Sequence, residues 1–166
     1  MDARMSDKRD IAGVIARPPL IVLAVVVVAL LLDKVFPIGV VSAVFWRSTR
    51  VAIGGALVVA AAWPMARAIL RFRRSGTPVE TWKPTTALAV RGIYKRTRNP
   101  IYQAFALFVL GLAFAFGSDW LFLLFPLGAL VIHFGVVRRE ERYLAARFGD
   151  DYARYCARVP RYGWPI

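Results

Sequence analysis

Cysteine occurs once, at Cys156, which excludes an intramolecular disulfide and a cysteine-based metal site. Histidine also occurs once, at His133, and has no ligand cluster beside it in the sequence, so no metal centre is expected. Glycine-rich phosphate loops, internal repeats and low-complexity linkers are missing too, and residues 1–166 read as a single membrane domain. Acidic residues are few: 10 Asp and Glu stand against 23 Lys and Arg, a formal charge of +13. That balance in a soluble protein suggests nucleic acid. Here the cations flank apolar segments, so membrane topology and attraction to anionic lipid headgroups account for them, and no nucleic-acid partner is expected.

Charge is also absent from two long stretches, residues 101–118 and 120–137, which contain no Asp, Glu, Lys or Arg. At about 1.5 Å per helical residue, each is long enough to cross roughly 30 Å of hydrocarbon. A hydrophobic content of 58% and a mean hydropathy of +0.53 exceed what a soluble core of this size requires. The chain therefore reads as an all-α integral membrane bundle of about four transmembrane helices. Two further spans are predicted at about residues 18–32 and 51–66, both short and flanked by charges that can snorkel. Residues 35–46 are also apolar but are interrupted by Pro37 and Gly39. They read as an interfacial loop, with a partial fifth helix as the alternative. The first apolar segment is not read as a secretory signal, because Val41-Ser42-Ala43 lies too far beyond its centre.

Orientation follows from the cations, which are retained on the cytoplasmic side. Arg4, Lys8, Arg9 and Arg17 precede the first span, nine Lys and Arg lie within residues 67–98, and the chain is basic again from Arg138. The turn at residues 117–119 has none. Both termini are expected in the cytoplasm of a bacterial inner-membrane protein, although Lys34, Arg47 and Arg50 fall in the first outer loop.

The third and fourth spans are joined by a very short turn, in which Gly117 can end one helix and Ser118 or Asp119 can cap the next. They must run antiparallel, so the polar residues at their far ends meet at one membrane face. Those residues are Arg98-Asn99-Pro100-Ile101-Tyr102 before the third span and Glu140-Glu141 after the fourth. Asn99 is a good helix cap and Pro100 suits a first turn. Beyond them, Leu144, Phe148 and Gly149-Asp150-Asp151 predict that the fourth helix leaves the bilayer, stops, and recaps as a short amphipathic helix that Val159-Pro160 ends.

In the order and spacing of these elements the C-terminal half resembles the integral-membrane methyltransferases that include isoprenylcysteine carboxyl methyltransferases and phospholipid N-methyltransferases. The residues that carry the resemblance are Gly92-Ile93-Tyr94, Arg98 to Tyr102, Glu140-Glu141 with Leu144, Phe148-Gly149, Tyr152, Tyr155 and Arg158-Val159-Pro160-Arg161. The isoprenylcysteine branch usually reads Arg-His-Pro-x-Tyr-x-Gly in the first motif, where this chain has Asn99 for His and Ala104 for Gly. The resemblance implies methyl transfer from S-adenosylmethionine to a lipid-like acceptor arriving from the bilayer. It implies cofactor contacts from Tyr94, Arg98, Asn99, Pro100, Tyr102, Glu140 and Glu141, and substrate-side positions for Tyr152, Tyr155 and Arg158.

The residue chemistry is compatible with those roles. A helix N-terminus and Arg98 favour a carboxylate, the glutamates accept from an ammonium or ribose hydroxyls, and Tyr94 and Tyr102 can pack on adenine. His133 lies seven residues before Glu140, about 20° away around a uniform helix, and is a base for an amine acceptor or a structural interhelical hydrogen bond. Each signal also has a plainer reading taken alone: a solvated charge pair, a common helix start, interfacial aromatics, an amphipathic anchor. Two other functions stay open at this level. Membrane sterol reductases, which use a nicotinamide cofactor, look similar in the Asn-Pro-x-Tyr region, and a membrane scaffold would bind neither cofactor.

Overall fold

The computed structural model describes residues 12–75 and 88–163. Among these, helices account for almost all regular structure. The first, α1 (Pro18–Val35), starts on the Pro18-Pro19 pair, where missing amide donors would be unpaired in any case. A one-turn helix, α2 (Val40–Val44), and the long α3 (Arg47–Ser75) follow. The hairpin is α4 (Pro100–Phe116) and α5 (Asp119–Ile132), and α5 continues through a π-helical turn (His133–Val137) into α6 (Arg138–Arg158). A 3-10 turn (Gly92–Lys95) precedes α4.

Three of these helical rods, Pro18–Val35, Arg47–Arg71 and Asp119–Arg158, are long and apolar enough to cross a membrane, and α4 is a shorter apolar helix of 17 residues. At about 1.5 Å per residue α4 spans roughly 26 Å, a mismatch that local bilayer thinning absorbs. It stops two residues before the predicted end because Gly117 turns left-handed at φ 64, with Gly117 N donating to Phe114 O (3.0 Å) and Ser118 N to Ala113 O (2.9 Å). Ser118 Oγ then accepts from Leu121 N at 3.0 Å and starts α5. The helices are antiparallel, as the short turn requires.

Asp119, the other candidate cap, serves a different helix. Its carboxylate accepts from Gly39 N (2.8 Å) and Val41 N (3.0 Å), satisfying the first donors of α2, while Trp120 Nε1 donates to Phe36 O. Residues 35–46, expected as an interfacial loop, thus contain a single helical turn pinned to the hairpin bend. Residue 149 behaves as its sequence suggests. Gly149 takes φ 48 and ψ −124 inside α6, dividing it into a segment that continues the span and a recapped segment that ends at Val159.

Packing rests on small residues. α3 lies most closely on α4, where a Cβ added to Gly54 would come within 2.6 Å of Gly111 O and Ala115 N. Val22 and Ala29 of α1 join Val109, Ala113 and Leu121 in the apolar core between α1 and the hairpin. Gly54→Ala is expected to force α3 from α4 at a cost of about 1–3 kcal/mol. Thermal melting in detergent reads this as a lowered midpoint; an unchanged midpoint would contradict the close contact.

Candidate active site

The two polar ends of the hairpin touch directly. Tyr102, in the first turn of α4, donates its hydroxyl to Glu140 Oε1 at 2.8 Å, joining α4 to the first turn of α6. This contact follows from the bend at Gly117: antiparallel rods of similar length bring residues just inside one start and just past the other end to the same height.

The adjacent glutamates have different surroundings. Glu141 is held by two arginines: Arg98 Nη1 lies 3.1 Å from Oε1, and Arg161 donates through Nε (3.0 and 2.9 Å) and Nη2 (2.6 Å) in a bidentate pair. The hydrogen bonds to Glu141 raise the Arg161 pKa. Glu140 has no cationic partner among the described residues. Three residues beyond the apolar stretch, its carboxyl is pushed up to about 7, chiefly by burial, with Glu141 adding to the rise and the Tyr102 hydroxyl opposing it.

Around this pair the C-terminal segment is stitched to the start of α4. Arg98 N donates to Pro160 O (3.0 Å), and Thr97 Oγ1 and Asn99 Nδ2 both donate to Arg161 O (3.2 Å each). Asn99 therefore stands at the cap position of α4, but its side chain fixes the C-terminal strap instead of accepting from the helix. Pro100 is buried in the first turn. Arg98 Nη1 also reaches Cys156 Sγ at 2.8 Å, while its Nε is buried without a hydrogen-bond partner. Tyr94 is buried on the 3-10 turn, its carbonyl accepting from Tyr155 Oη at 2.7 Å. Burial holds the Tyr94 hydroxyl well above its usual pKa, with Tyr155 and Glu140 adding, so it stays protonated.

The remaining predicted residues lie elsewhere in the same end of the protein. Tyr152 and Tyr155 are buried with Val159, Leu88, Val90, Leu144 and Phe148, packing the recapped segment onto the residues before Gly92. Arg158 is exposed, its Nε donating to Arg154 O. His133 opens the π-helical turn and shares a 2.8 Å hydrogen bond with Tyr162 Oη through Nδ1. That turn inserts a wider loop of backbone between His133 and Glu140, so the uniform 100° spacing that set them about 20° apart does not hold.

An apolar cavity of about 250 Å³ opens between α1, α4 and α5, with Val22, Val25, Ala106, Val109, Phe125 and Gly128 among its walls. Tyr102, Gln103 and Tyr162 close its polar end. Tyr102 is thus shared, its ring on the cavity and its hydroxyl on Glu140. Gln103 Nε2 donates to the Gly163 carbonyl, which leaves Oε1 buried with no hydrogen-bond partner. Thr97, Gln103 and Tyr162 were not singled out by sequence reasoning. Gln103 is the only polar side chain between Tyr102 and Gly117 in α4, a signal that was available.

Neither a curated protein nor a solved structure matches the chain. The phospholipid methyltransferase family model does match, over residues 49–151, which is well over half of the sequence. That segment contains all but the first two residues of α3, the whole hairpin, the π-helical turn and both glutamates, whereas Arg161 and Tyr162 lie beyond it. The contact between Tyr102 and Glu140 lies wholly within the matched residues, and because the match covers well over half of the sequence, the chain belongs to the phospholipid methyltransferase family.

Proposed function

We propose that this protein transfers a methyl group from S-adenosylmethionine to a lipid-like acceptor, at the cytoplasmic face of a bacterial inner membrane. Membership of the family makes it a membrane methyltransferase; the cofactor, the acceptor site and the sidedness are our reading. The observation that carries it is the environment of Glu140, which among the described residues has no cationic partner and accepts from Tyr102, a residue that also lines the apolar cavity.

The donor set suits the cofactor's amino-acid end. Arg98 Nε, buried without a partner, answers a carboxylate, and ionised Glu140 answers an ammonium or sulfonium. Tyr94 and Tyr102 supply aromatic surface, while Asn99, Pro100 and Glu141 hold that cradle in place. When bound, the cofactor supplies a methyl carbon on a positively charged sulfur, which leaves with the bonding electron pair as the acceptor atom attacks. The residues contribute positioning and partial dehydration, with no covalent bond to the enzyme.

On the acceptor side, the apolar cavity takes the hydrocarbon chain, and Gln103 Oε1, Tyr102 and Tyr162 meet the head. For an amine acceptor, His133 receives the proton released on methylation; a carboxylate acceptor needs no base. Tyr152, Tyr155 and Arg158 act from behind this end by packing the C-terminal strap.

Purified protein with methyl-labelled S-adenosylmethionine, offered phosphatidylethanolamine or an isoprenylated cysteine analogue, should place label in the lipid fraction. Absence of label with every lipid acceptor overturns the proposal. Ala106→Phe, which fills the cavity, should raise the acceptor KM by about tenfold or more while cofactor affinity is unchanged. Equal KM values would remove the cavity from the acceptor path.

A further inference from the structure

His133 is the only titratable side chain between Asp119 and Arg138. It does not line the apolar cavity between α1, α4 and α5, whereas Tyr162 does, and the Tyr162 hydroxyl lies 2.8 Å from His133 Nδ1. The histidine therefore meets the polar end of the cavity through the tyrosine. The π-helical turn that opens at His133 fixes where the ring stands, and such single turns recur at functional sites. Phe134 lies edge-on to the imidazole at 4.8 Å between ring centres, and the Tyr162 ring is tilted against it at 5.8 Å.

Tyr162 is held through both of its chain neighbours. Arg161 is clamped by Glu141, and its carbonyl accepts from Thr97 and Asn99. The Gly163 carbonyl accepts from Gln103 Nε2, and a Cβ on Gly163 would collide with the Arg96 carbonyl oxygen. These contacts fix the strap without the bond between Tyr162 and His133, which is exposed and adds little to that hold. Glu140, reached from the same cavity through Tyr102, is assigned to the cofactor's cation and is not free to act as a base.

We propose that Tyr162 relays the proton of an amine acceptor from the cavity to His133. This rests on the methyl transfer proposed above and narrows the acceptor to a lipid amine with at least one N–H bond. The methyl carbon exchanges its bond to sulfur, whose electron pair stays on sulfur, for a bond to the amine nitrogen. The nitrogen, now positive, keeps the pair of one N–H bond and gives the proton to the Tyr162 oxygen, while the Tyr162 proton passes to His133 Nδ1. Tyrosine ends neutral and histidine ends as imidazolium, five residues before Arg138, where the apolar stretch closes and the proton can pass to water. The relay requires the tautomer with its proton on Nε2, so that Nδ1 accepts from the hydroxyl.

Nitrogen-15 NMR of the full chain in detergent, labelled at histidine and with no added histidines, reads one imidazole. Nδ1 should give the unprotonated, hydrogen-bonded resonance, and Tyr162→Phe should move it; a proton resident on Nδ1 in the wild type, which needs no variant to detect, overturns the relay. Single-turnover methyl transfer to phosphatidylethanolamine gives the second reading. Tyr162→Phe, His133→Asn and the double variant should each be about 100-fold slower than wild type, the double no slower than either single, with cofactor affinity by calorimetry unchanged. Asparagine keeps a partner for the hydroxyl but takes no proton, so a wild-type rate in His133→Asn, or losses that multiply in the double variant, overturn the relay. Label in a carboxylate or thiol acceptor but in no lipid amine overturns the relay and leaves methyl transfer standing, whereas label in no acceptor overturns both.

Discussion

Glu140→Gln is expected to weaken S-adenosylmethionine binding by about 10- to 100-fold, the loss of roughly 1.5–3 kcal/mol for one hydrogen-bonded charge. The substitution keeps the shape and an acceptor for the Tyr102 hydroxyl, so melting should change little. The dependence on pH gives a second reading. With the carboxyl titrating at about 7 in the free protein, it is largely protonated below that value and offers a bound cation no charge. Wild-type affinity should therefore fall by about tenfold per pH unit below pH 6 and level off above pH 8. Glu140→Gln should flatten this profile. Calorimetric titrations across pH 5.5–8.5 make the comparison, and unchanged affinity in the variant would remove Glu140 from the cofactor site.

Glu141→Ala should do the opposite, costing about 3 kcal/mol of stability because it strands Arg98 in a protein interior. The Glu141 and Arg98 side chains are only 13% and 14% exposed. Arg161, at 38%, can turn to solvent when its partner is lost, so most of the cost falls on Arg98. Arg161→Ala should consequently be milder, although it also loosens the strap whose carbonyl Thr97 and Asn99 hold. Thermal melting reads all three variants. A Glu141→Ala midpoint equal to wild type would contradict the assignment of this glutamate to a structural clamp, and with it the division of labour between the pair.

That division was not legible in the sequence, where Glu140-Glu141 is a uniform acidic pair. What distinguishes the two is a residue twenty positions downstream of Glu141, Arg161, which the Val159-Pro160 break at the end of α6 turns back under α4. Spacing along the chain carries no trace of that reversal. The hairpin, by contrast, was readable from local chemistry: uncharged runs on both sides, and Gly117-Ser118 between them, leave only an antiparallel return. The stop at Gly149 was readable for the same reason, since glycine before two aspartates marks a break and a new cap.

Elsewhere the local rules were overridden. Asn99 has the side chain of a cap but spends it on the Arg161 carbonyl, because a buried strap needs its own donors. Asp119 reaches back to Gly39 and Val41, eighty and seventy-eight residues earlier, and turns a supposed loop into a helical turn. The π-helical turn at His133 has no glycine or proline signal at its first residue and shifts the phase between His133 and Glu140. Family resemblance pointed to the segment of chain that the family model matches, and the fold shows which of its polar residues are engaged with one another.

The proposed cofactor site is formed jointly by the first turns of α4 and α6. Calorimetry of the detergent-purified protein with S-adenosylmethionine, S-adenosylhomocysteine and NADPH in parallel tests it most directly. One binding site each is expected for the first two ligands and none for NADPH; heat from NADPH alone would contradict a methyltransferase cofactor site.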